Sequence, residues 1–194
     1  MFYFVFSCNV AVAYKGGRAL KMKQKNNSKS SLKRLTLVAV LIAVNIVVAR
    51  VFLIPIPMTH GYINLCDAGI FIAALLFGKR EGAIVGGLSG FLLDLIAGYP
   101  QYMLFSLVIH GLEGYLAGML LSTTTKGKSA FLLASFVGII VMVGGYFAAD
   151  SLLYTVQTGL VGVPTNLFQG IVGALVALPV YYRLSSGVTS SNKQ

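Results

Sequence analysis

The sequence predicts an all-α protein: an integral membrane bundle of six transmembrane helices with the N and C termini in the cytoplasm. Three observations lead to this prediction. Of the 194 residues, 57% are hydrophobic and 10% are charged, whereas soluble domains carry about 25% charged residues. Six apolar stretches are long enough to cross a hydrocarbon core about 30 Å thick. Lys and Arg are concentrated in alternate connections, as expected for a chain that crosses a bilayer repeatedly.

The basic residues indicate which connections face the cytoplasm, where an excess of Lys and Arg is retained. The net charge is +10, and fourteen of the fifteen cations lie in the N-terminal tail, in two alternate connections or in the C-terminal tail. Arg50, near the far end of the first span, is the exception. The positive charge is therefore explained by membrane topology and the lipid bilayer, and no nucleic-acid partner is expected.

We predict three segments. Residues 1–34 form a basic cytoplasmic tail, in which 1–21 is either an upstream extension or a segment lying on the membrane surface. Residues 35–183 form the six-helix domain, and 184–194 form a cytoplasmic tail. The predicted spans are 35–54, 62–78, 81–97, 101–121, 130–154 and 163–183. The connections between them are too short for a folded domain, so any energy source has to lie elsewhere.

Small residues in the first and third spans indicate close helix packing. Ala39 and Ala43 lie one helical turn apart in the first span. The third span carries a glycine every fourth residue, a spacing that lets a neighbouring backbone approach closely. These glycines are Gly82, Gly86 and Gly90. The second span carries Asp67 near its start, and an acidic residue inside a membrane is costly and therefore a candidate for function.

Polar residues in the last three spans predict a cavity near the outer side of the membrane. Helical spacing places four polar residues of the fourth span on one face. They are Tyr102, Ser106, His110 and Glu113. The fifth span offers Tyr146 and Asp150, and the sixth offers Asn166 and Gln169. A network of hydrogen bonds between helices is the alternative explanation for any one of these residues.

The sequence gives no pattern for a metal or a cofactor, and we expect neither. The two histidines lie 50 residues apart, and no His-Glu-x-x-His pattern occurs. The two cysteines lie in the N-terminal segment and the second span, which indicates neither a disulfide framework nor a metal site.

The sequence resembles the substrate-binding S components of energy-coupling factor (ECF) vitamin transporters over about residues 35–183. The similarity consists of extended blocks, which are more specific than any single pair of small residues. They are Ile54-Pro55-Ile56-Pro57, Gly61, Asp67, Ala73-Ala74-Leu75-Leu76-Phe77-Gly78, Gly82-Ala83-Ile84-Val85-Gly86-Gly87, Asp94, Gly98-Tyr99-Pro100, Gly111-Leu112-Glu113-Gly114, Pro164-Thr165-Asn166-Leu167-Phe168-Gln169-Gly170, Gly173 and Ala177-Leu178-Pro179.

The resemblance implies a membrane subunit, in the plasma membrane of a prokaryote, that binds a vitamin or precursor at its outer end. It implies a transmembrane T component and two ATP-binding-cassette ATPases as partners, with Ala39 and Ala43 docking on the T component. The sequence is most similar to the branch that binds hydroxymethylpyrimidine, pyridoxine and related heteroaromatic molecules. His110 replaces a Lys frequent in that branch, which favours a neutral or weakly basic ligand. The expected binding residues are His110, Asn166, Gln169, Asp150, Tyr146, Tyr102, Tyr99, Asp67 and Glu113.

Two other functions are considered. A stand-alone secondary transporter could use His110, Glu113 and Asp150 to carry protons. An intramembrane serine protease of the rhomboid type is suggested by Gly87-Leu88-Ser89-Gly90. Such an enzyme needs a histidine on a later helix to activate the serine, but the fifth and sixth spans contain none, and the only later histidine, His110, lies on the very next helix.

Overall fold

The computed structural model describes residues 5–7, 10–15, 18–21, 27–56, 61–123 and 128–191. Side chains are described within 32–183, except 57–60, 124–128 and 181. Helices carry most of the described residues. They are α1 (Asn27–Val51), α2 (Cys66–Phe77), α3 (Lys79–Ala97), α4 (Met103–Thr123), α5 (Lys128–Leu153) and α6 (Val156–Ser191).

Four helices contain segments that are long and apolar enough to cross a membrane. These segments are Leu32–Val51, Met103–Thr123, Ser129–Leu153 and Val156–Val180. Helix α2 is apolar but has only 12 residues, and the 19-residue helix α3 carries charged residues at both ends. The prediction of a mainly helical chain with several membrane-spanning helices is therefore confirmed.

The prediction that all secondary structure is helical is wrong for the start of the chain. Residues 5–21 contain three antiparallel strands in the order β1-β2-β3, within a compact unit that comprises Met1–Thr36. The strands are β1 (Val5–Ser7), β2 (Val10–Lys15) and β3 (Arg18–Lys21). Valines alternate with smaller residues along β2, a pattern that suits a pleated strand. The helix that follows begins at Asn27, inside the segment predicted as a tail.

The connection after α1 also differs from the prediction, which extended the first helix to residue 54. Instead α1 ends at Val51, and Ile54–Pro55 forms a strand, β4, that pairs antiparallel with β5 (Tyr62–Ile63). The physical reason is Pro55, which lacks an N–H and disfavours a helical conformation at the preceding residue. Pro57, at the end of the first sequence block, lies outside the described residues.

Helix α6 begins earlier and ends later than predicted. It starts at Val156 instead of residue 163, so most of the predicted connection 155–162 is helical. Pro164 lies inside the helix, and the Thr165 hydroxyl in that turn donates a hydrogen bond to the Gly162 carbonyl at 2.8 Å. The helix continues to Ser191 in the segment predicted as a tail.

The glycines of α3 allow it to pack closely along α4, as their spacing predicted. A Cβ added to Gly82 would lie 2.6 Å from the Gly114 carbonyl oxygen, and one added to Gly86 would collide with the backbone of His110. The turns at the two ends of α3 also depend on glycine. Gly78 and Gly98 have positive φ angles of 91° and 87°, a conformation that side chains other than glycine rarely adopt.

The unit formed by Leu37–Gln194 has an apolar core towards one end of the bundle. Phe71 of α2, Ala117 of α4, Phe131 of α5 and Ala177 of α6 pack together there and are at most 2% exposed. Most buried polar side chains lie towards the other end, near the β4–β5 hairpin and the α3–α4 and α5–α6 turns. This separation places the candidate site at the hairpin end.

Candidate ligand-binding site

A small cavity of about 40 Å³ lies at the hairpin end of the bundle. The hairpin and helices α3, α4, α5 and α6 all contribute to its lining. The described lining residues are Ile56, Gly61, Tyr62, Asn64, Gly90, Leu93, Asp94, Tyr102, His110, Tyr146, Asp150, Gly162, Thr165, Asn166 and Gln169. None of these is a Lys or an Arg, so the described lining combines acidic, amide, imidazole and phenol groups.

His110 lies on the polar face of α4 and is 3% exposed. Its Nε2 atom lies 3.0 Å from the hydroxyl oxygen of Tyr146, which in turn lies 2.6 Å from the Ser106 hydroxyl oxygen. The Tyr146 ring meets the imidazole edge-on, with 5.5 Å between ring centres. This hydrogen-bonded chain joins α4 to α5 and presents the imidazole and the phenol to the cavity.

Asp150, near the end of α5, is held by Tyr102, which precedes α4. The Tyr102 hydroxyl donates a 2.6 Å hydrogen bond to Oδ1 of Asp150. On the other side Gly162 of α6 comes close, since a Cβ there would lie 2.8 Å from Oδ2. A carboxylate held this way keeps acceptor capacity for a ligand amine or hydroxyl.

A second carboxylate, Asp94 of α3, faces the cavity. The Tyr62 hydroxyl of β5 donates a 2.6 Å hydrogen bond to its Oδ1, while Oδ2 is buried and accepts no hydrogen bond from the described residues. Burial and the nearby Asp94 carboxylate raise the pKa of Tyr62 well above its usual value, so the phenol remains a donor at neutral pH. The Tyr62 ring also packs against Tyr99, with 4.9 Å between ring centres.

The amides of the site connect α6 to the start of α2. Oε1 of Gln169 accepts a 2.8 Å hydrogen bond from the backbone N–H of Asn64. The Asn64 side chain accepts a 2.6 Å hydrogen bond from the N–H of Cys66, the first residue of α2. Asn166 lies one turn before Gln169 and is 8% exposed. Gln169 is thus fixed by the backbone, and Asn166 offers its amide to the cavity.

Six of the nine predicted binding residues line the cavity: His110, Asn166, Gln169, Asp150, Tyr146 and Tyr102. Tyr99 packs on Tyr62 and is not among the described lining residues. Asp67 and Glu113 lie behind His110, fully buried. Helical spacing predicted a polar face on each of α4, α5 and α6. The three helices turn these faces towards the cavity, so their residues come together there.

Four residues that were not predicted to bind the ligand also line the cavity: Tyr62, Asn64, Asp94 and Thr165. Asp94 carried a usable signal, since it is one of only five acidic residues in the chain and lies within a predicted span. Nothing in the sequence pointed to Tyr62, because its position depends on the pairing of β4 with β5, and the sequence did not indicate this pairing.

Two further groups of residues bear on the alternatives. Ala39 and Ala43 lie on an exposed, apolar side of α1 together with Val40 and Val44. Ser89, the serine of the protease-like motif, is fully buried, and its hydroxyl makes no hydrogen bond within the described structure. The serine is therefore not paired with an activating histidine, as a protease nucleophile would be.

Comparisons with known proteins place this geometry in a family. The family model for the S component of ECF-type riboflavin transporters matches residues 29–186. The thiamine precursor transporter HmpT of Lactococcus lactis subsp. cremoris is 46% identical over 157 residues, covering 80% of this chain and 89% of that protein. An uncharacterized protein of Pyrococcus woesei is 36% identical over 135 residues, which is 70% of this chain and 90% of that protein.

The fold is also similar to that of a solved S component. The crystal structure of the biotin S component of an ECF-type ABC transporter superposes with a TM-score of 0.56 at 23% identity, covering 81% of this chain and 94% of that one. Family model, sequence relative and fold agree, and the chain belongs to the S-component family of ECF-type riboflavin transporters, a family of transport proteins and not of enzymes.

Proposed function

We propose that this chain is the substrate-binding subunit of an ATP-driven importer that takes up a small heteroaromatic vitamin or vitamin precursor, similar to hydroxymethylpyrimidine or pyridoxine. The ligand binds in the cavity at the hairpin end. His110, Asn166, Asp150, Tyr146 and Tyr102 contact it, with Gln169 and Tyr99 supporting the wall. Asp67 and Glu113 lie behind His110 and influence the ligand only through the imidazole.

The single observation that supports this substrate class best is the chemistry of the lining. Asp94 and Asp150 are acceptors, and Asn166 and His110 both donate and accept hydrogen bonds. A phosphorylated ligand would place its negative charge beside two carboxylates without a Lys or Arg among the described lining residues. A neutral or weakly basic ring with amino or hydroxymethyl groups matches these partners. The relative HmpT, named as a thiamine precursor transporter, supports the same class.

The size of the cavity favours a ligand with a single ring. At about 40 Å³ it holds a water molecule or two, whereas pockets for drug-sized ligands measure roughly 300–1,000 Å³. The lining residues therefore have to move apart even for a ligand with one ring. A three-ring ligand such as riboflavin requires them to move much further. Tyr102, Tyr146 and Tyr62 offer faces for stacking.

The same proposal assigns an orientation. The chain crosses the plasma membrane of a prokaryote six times with both termini in the cytoplasm, and the cavity faces outward. The distribution of Lys and Arg supports this orientation. Helices α2 and α3 are the short spans, and charged residues at the start of α3, Lys79 and Arg80, lie at the cytoplasmic surface.

The partners in this proposal are a transmembrane T component and two ATP-binding-cassette ATPases. The connections of this chain are too short to hold an ATPase domain, so ATP-driven uptake requires ATPases on separate subunits. The exposed side of α1 around Ala39 and Ala43 is the docking surface, because small side chains let a partner helix approach closely.

Ligand binding to the purified protein tests the substrate class. Isothermal titration with hydroxymethylpyrimidine, its phosphate, pyridoxine and riboflavin should show tightest binding for an unphosphorylated single ring. Asn166→Ala and His110→Ala should each weaken binding by about 1–3 kcal/mol, the cost of an unpaired polar group. Gln157→Ala, an exposed change on the same helix as Asn166, is the control and should bind normally. Normal binding by both cavity variants would show that the ligand lies elsewhere.

Co-purification and uptake assays distinguish the importer from a stand-alone proton-coupled transporter. ATPases that copurify with the chain, together with ATP-dependent uptake, would support the importer. Uptake by the isolated protein in vesicles that is abolished by an uncoupler would support the secondary transporter instead.

A further inference from the structure

Behind His110, away from the cavity, three buried side chains come together from two helices. Asp67 is in the first turn of α2, and His110 and Glu113 are one turn apart on α4. Asp67 and Glu113 are 0% exposed and His110 is 3% exposed. One ligand-type atom from each, an imidazole nitrogen and two carboxylate oxygens, lies within 4.8 Å of the other two. We call these three residues the acidic cluster.

The hydrogen bonds of the acidic cluster do not satisfy its oxygens. Nδ1 of His110 lies 2.8 Å from Oε2 of Glu113 and 3.5 Å from Oδ1 of Asp67. Since Nδ1 carries at most one proton, it donates well to only one of them. Both oxygens of Asp67 and Oε1 of Glu113 are buried and accept no hydrogen bond from the described residues. Buried acceptors without donors are costly.

Among the residues that the structure describes, the surroundings of the acidic cluster supply no fixed positive charge. The neighbouring titratable groups are Cys66 beside Asp67, Asp94 of α3 and Tyr146 of α5, which are acidic or neutral. Gln169 of α6 also approaches Asp67 and is neutral. No Lys or Arg is among the buried side chains that the structure describes. Two carboxylates in such a place need protons or a bound cation.

We propose that Asp67, His110 and Glu113 bind one divalent transition-metal ion of the Zn²⁺ type. Two carboxylates and a neutral imidazole balance a charge of +2, so the loaded site is neutral. An imidazole nitrogen with carboxylate oxygens is a common ligand set for Zn²⁺. Ligands bound at about 2.0–2.2 Å lie at most about 4.4 Å apart, so donors within 4.8 Å of one another need only a small contraction. The 2.8 Å contact between Nδ1 of His110 and Oε2 of Glu113 has to lengthen slightly to admit the ion.

The hydrogen bond on the far side of His110 suits this role. Histidines that bind a metal through one ring nitrogen usually donate the other N–H to a second group. Metal binding at Nδ1 places the remaining proton on Nε2, which then donates to the Tyr146 hydroxyl 3.0 Å away. The ion joins α2 to α4 and sets the hydrogen-bonding direction of the imidazole that faces the cavity. The metal site shares His110 with the vitamin site, but metal binding is measurable without a vitamin.

The test uses the full-length chain purified in detergent and stripped of metal with a chelator. Titration with Zn²⁺ should show one ion per chain, and Co²⁺ should give visible absorption bands typical of a nitrogen and oxygen ligand set. Asp67→Asn should weaken Zn²⁺ binding at least tenfold, since even the loss of a group that only hydrogen-bonds to a metal ligand costs 10–100-fold. Asp150→Asn, which removes a cavity carboxylate outside the acidic cluster, should bind Zn²⁺ like the unchanged chain.

Thermal unfolding gives a second measurement that holds even if Asp67→Asn folds poorly. Zn²⁺ should raise the Tm of the unchanged chain and of Asp150→Asn, and should fail to raise the Tm of Glu113→Gln. If the stripped chain binds no Zn²⁺ at one ion per chain, the proposal is wrong and the two carboxyl groups hold protons instead. Equal affinity in Asp67→Asn and the unchanged chain would overturn it as well.

Discussion

His110 is the residue through which the cavity and the buried carboxylates are connected. One ring nitrogen faces Glu113 and Asp67, and the other faces Tyr146. The ring therefore has little rotational freedom, because a flip about the Cβ–Cγ bond would place carbon atoms where both nitrogens now lie and would break the hydrogen bonds on both sides. Its position is also set by a glycine, since Gly90 of α3 leaves room for the edge of the imidazole.

Substitution of Gly90 tests how closely the imidazole is held. A Cβ at this position would lie 2.7 Å from Cδ2 of His110 and 3.1 Å from Cβ of Ser106. We expect Gly90→Ala to displace the ring, to destabilise the fold by about 1–3 kcal/mol and to weaken vitamin binding. Thermal unfolding in detergent and isothermal titration measure the two effects.

Gly144→Ala is the matched control for this change. A Cβ at Gly144 on α5 meets no atom within 4 Å, and alanine in place of a helical glycine favours the helix by up to about 1 kcal/mol. This variant should be as stable as the unchanged chain or more so, with normal binding. Equal behaviour of the two variants would contradict the close fit of His110 against α3.

At the scale of elements, the β4–β5 hairpin covers part of the cavity. Ile56, Gly61 and Tyr62 contribute to its lining, and the hairpin is fastened to α3 by the hydrogen bond from Tyr62 to Asp94. Since the cavity is smaller than any vitamin, some element has to move for a ligand to enter. The hairpin is the shortest element of the lining and is the one we expect to move.

Tyr62→Phe should loosen the hairpin by removing this hydrogen bond. A hydrogen bond to a charged group contributes about 1.5–3 kcal/mol, so the open arrangement becomes more populated. Both the association and the dissociation rate of a radiolabelled ligand should rise. A rise in the dissociation rate alone would show that Tyr62 only contacts the ligand. Tyr99→Phe, which keeps the ring packing against Tyr62, should leave both rates nearly unchanged.

At the scale of the whole molecule, α1 differs from the other long helices in how much of it is covered. Only 17% of the residues in the most apolar 18-residue stretch of α1 are buried, compared with 33–39% in the corresponding stretches of α4, α5 and α6. Its buried residues, Val38, Asn45 and Ala49, lie along one side. The other side is apolar and available to lipid or to another membrane subunit.

Ala39→Leu tests the docking surface. The larger side chain should prevent close approach of a T-component helix while leaving the cavity, which contains no α1 residue among those described, unaffected. We expect normal vitamin binding with loss of copurifying T component and of ATP-driven uptake. Ala148→Leu, an equal change at an exposed position of α5, should assemble normally. Normal assembly by Ala39→Leu would remove this side of α1 from the docking role.

The sequence determined those properties of the molecule that depend on local composition and helical period. Low charge and long apolar runs predicted a membrane bundle, and steps of three and four residues placed Tyr102, Ser106, His110 and Glu113 on one buried face. The glycine spacing in α3 predicted a close helix contact. These predictions succeeded because a helix imposes its periodicity whatever surrounds it.

The tertiary structure decided which faces meet, because contacts between helices depend on packing over long sequence separations. It placed Asp67 against His110 and Glu113, more than 40 residues further along the chain, so the spacing of histidines gave no sign of a metal-binding cluster. It also placed Tyr62 over Asp94 through a strand pair that helical periodicity does not predict. The candidate ligand-binding residues could thus be read in part from the sequence, whereas the acidic cluster and the hairpin required the fold.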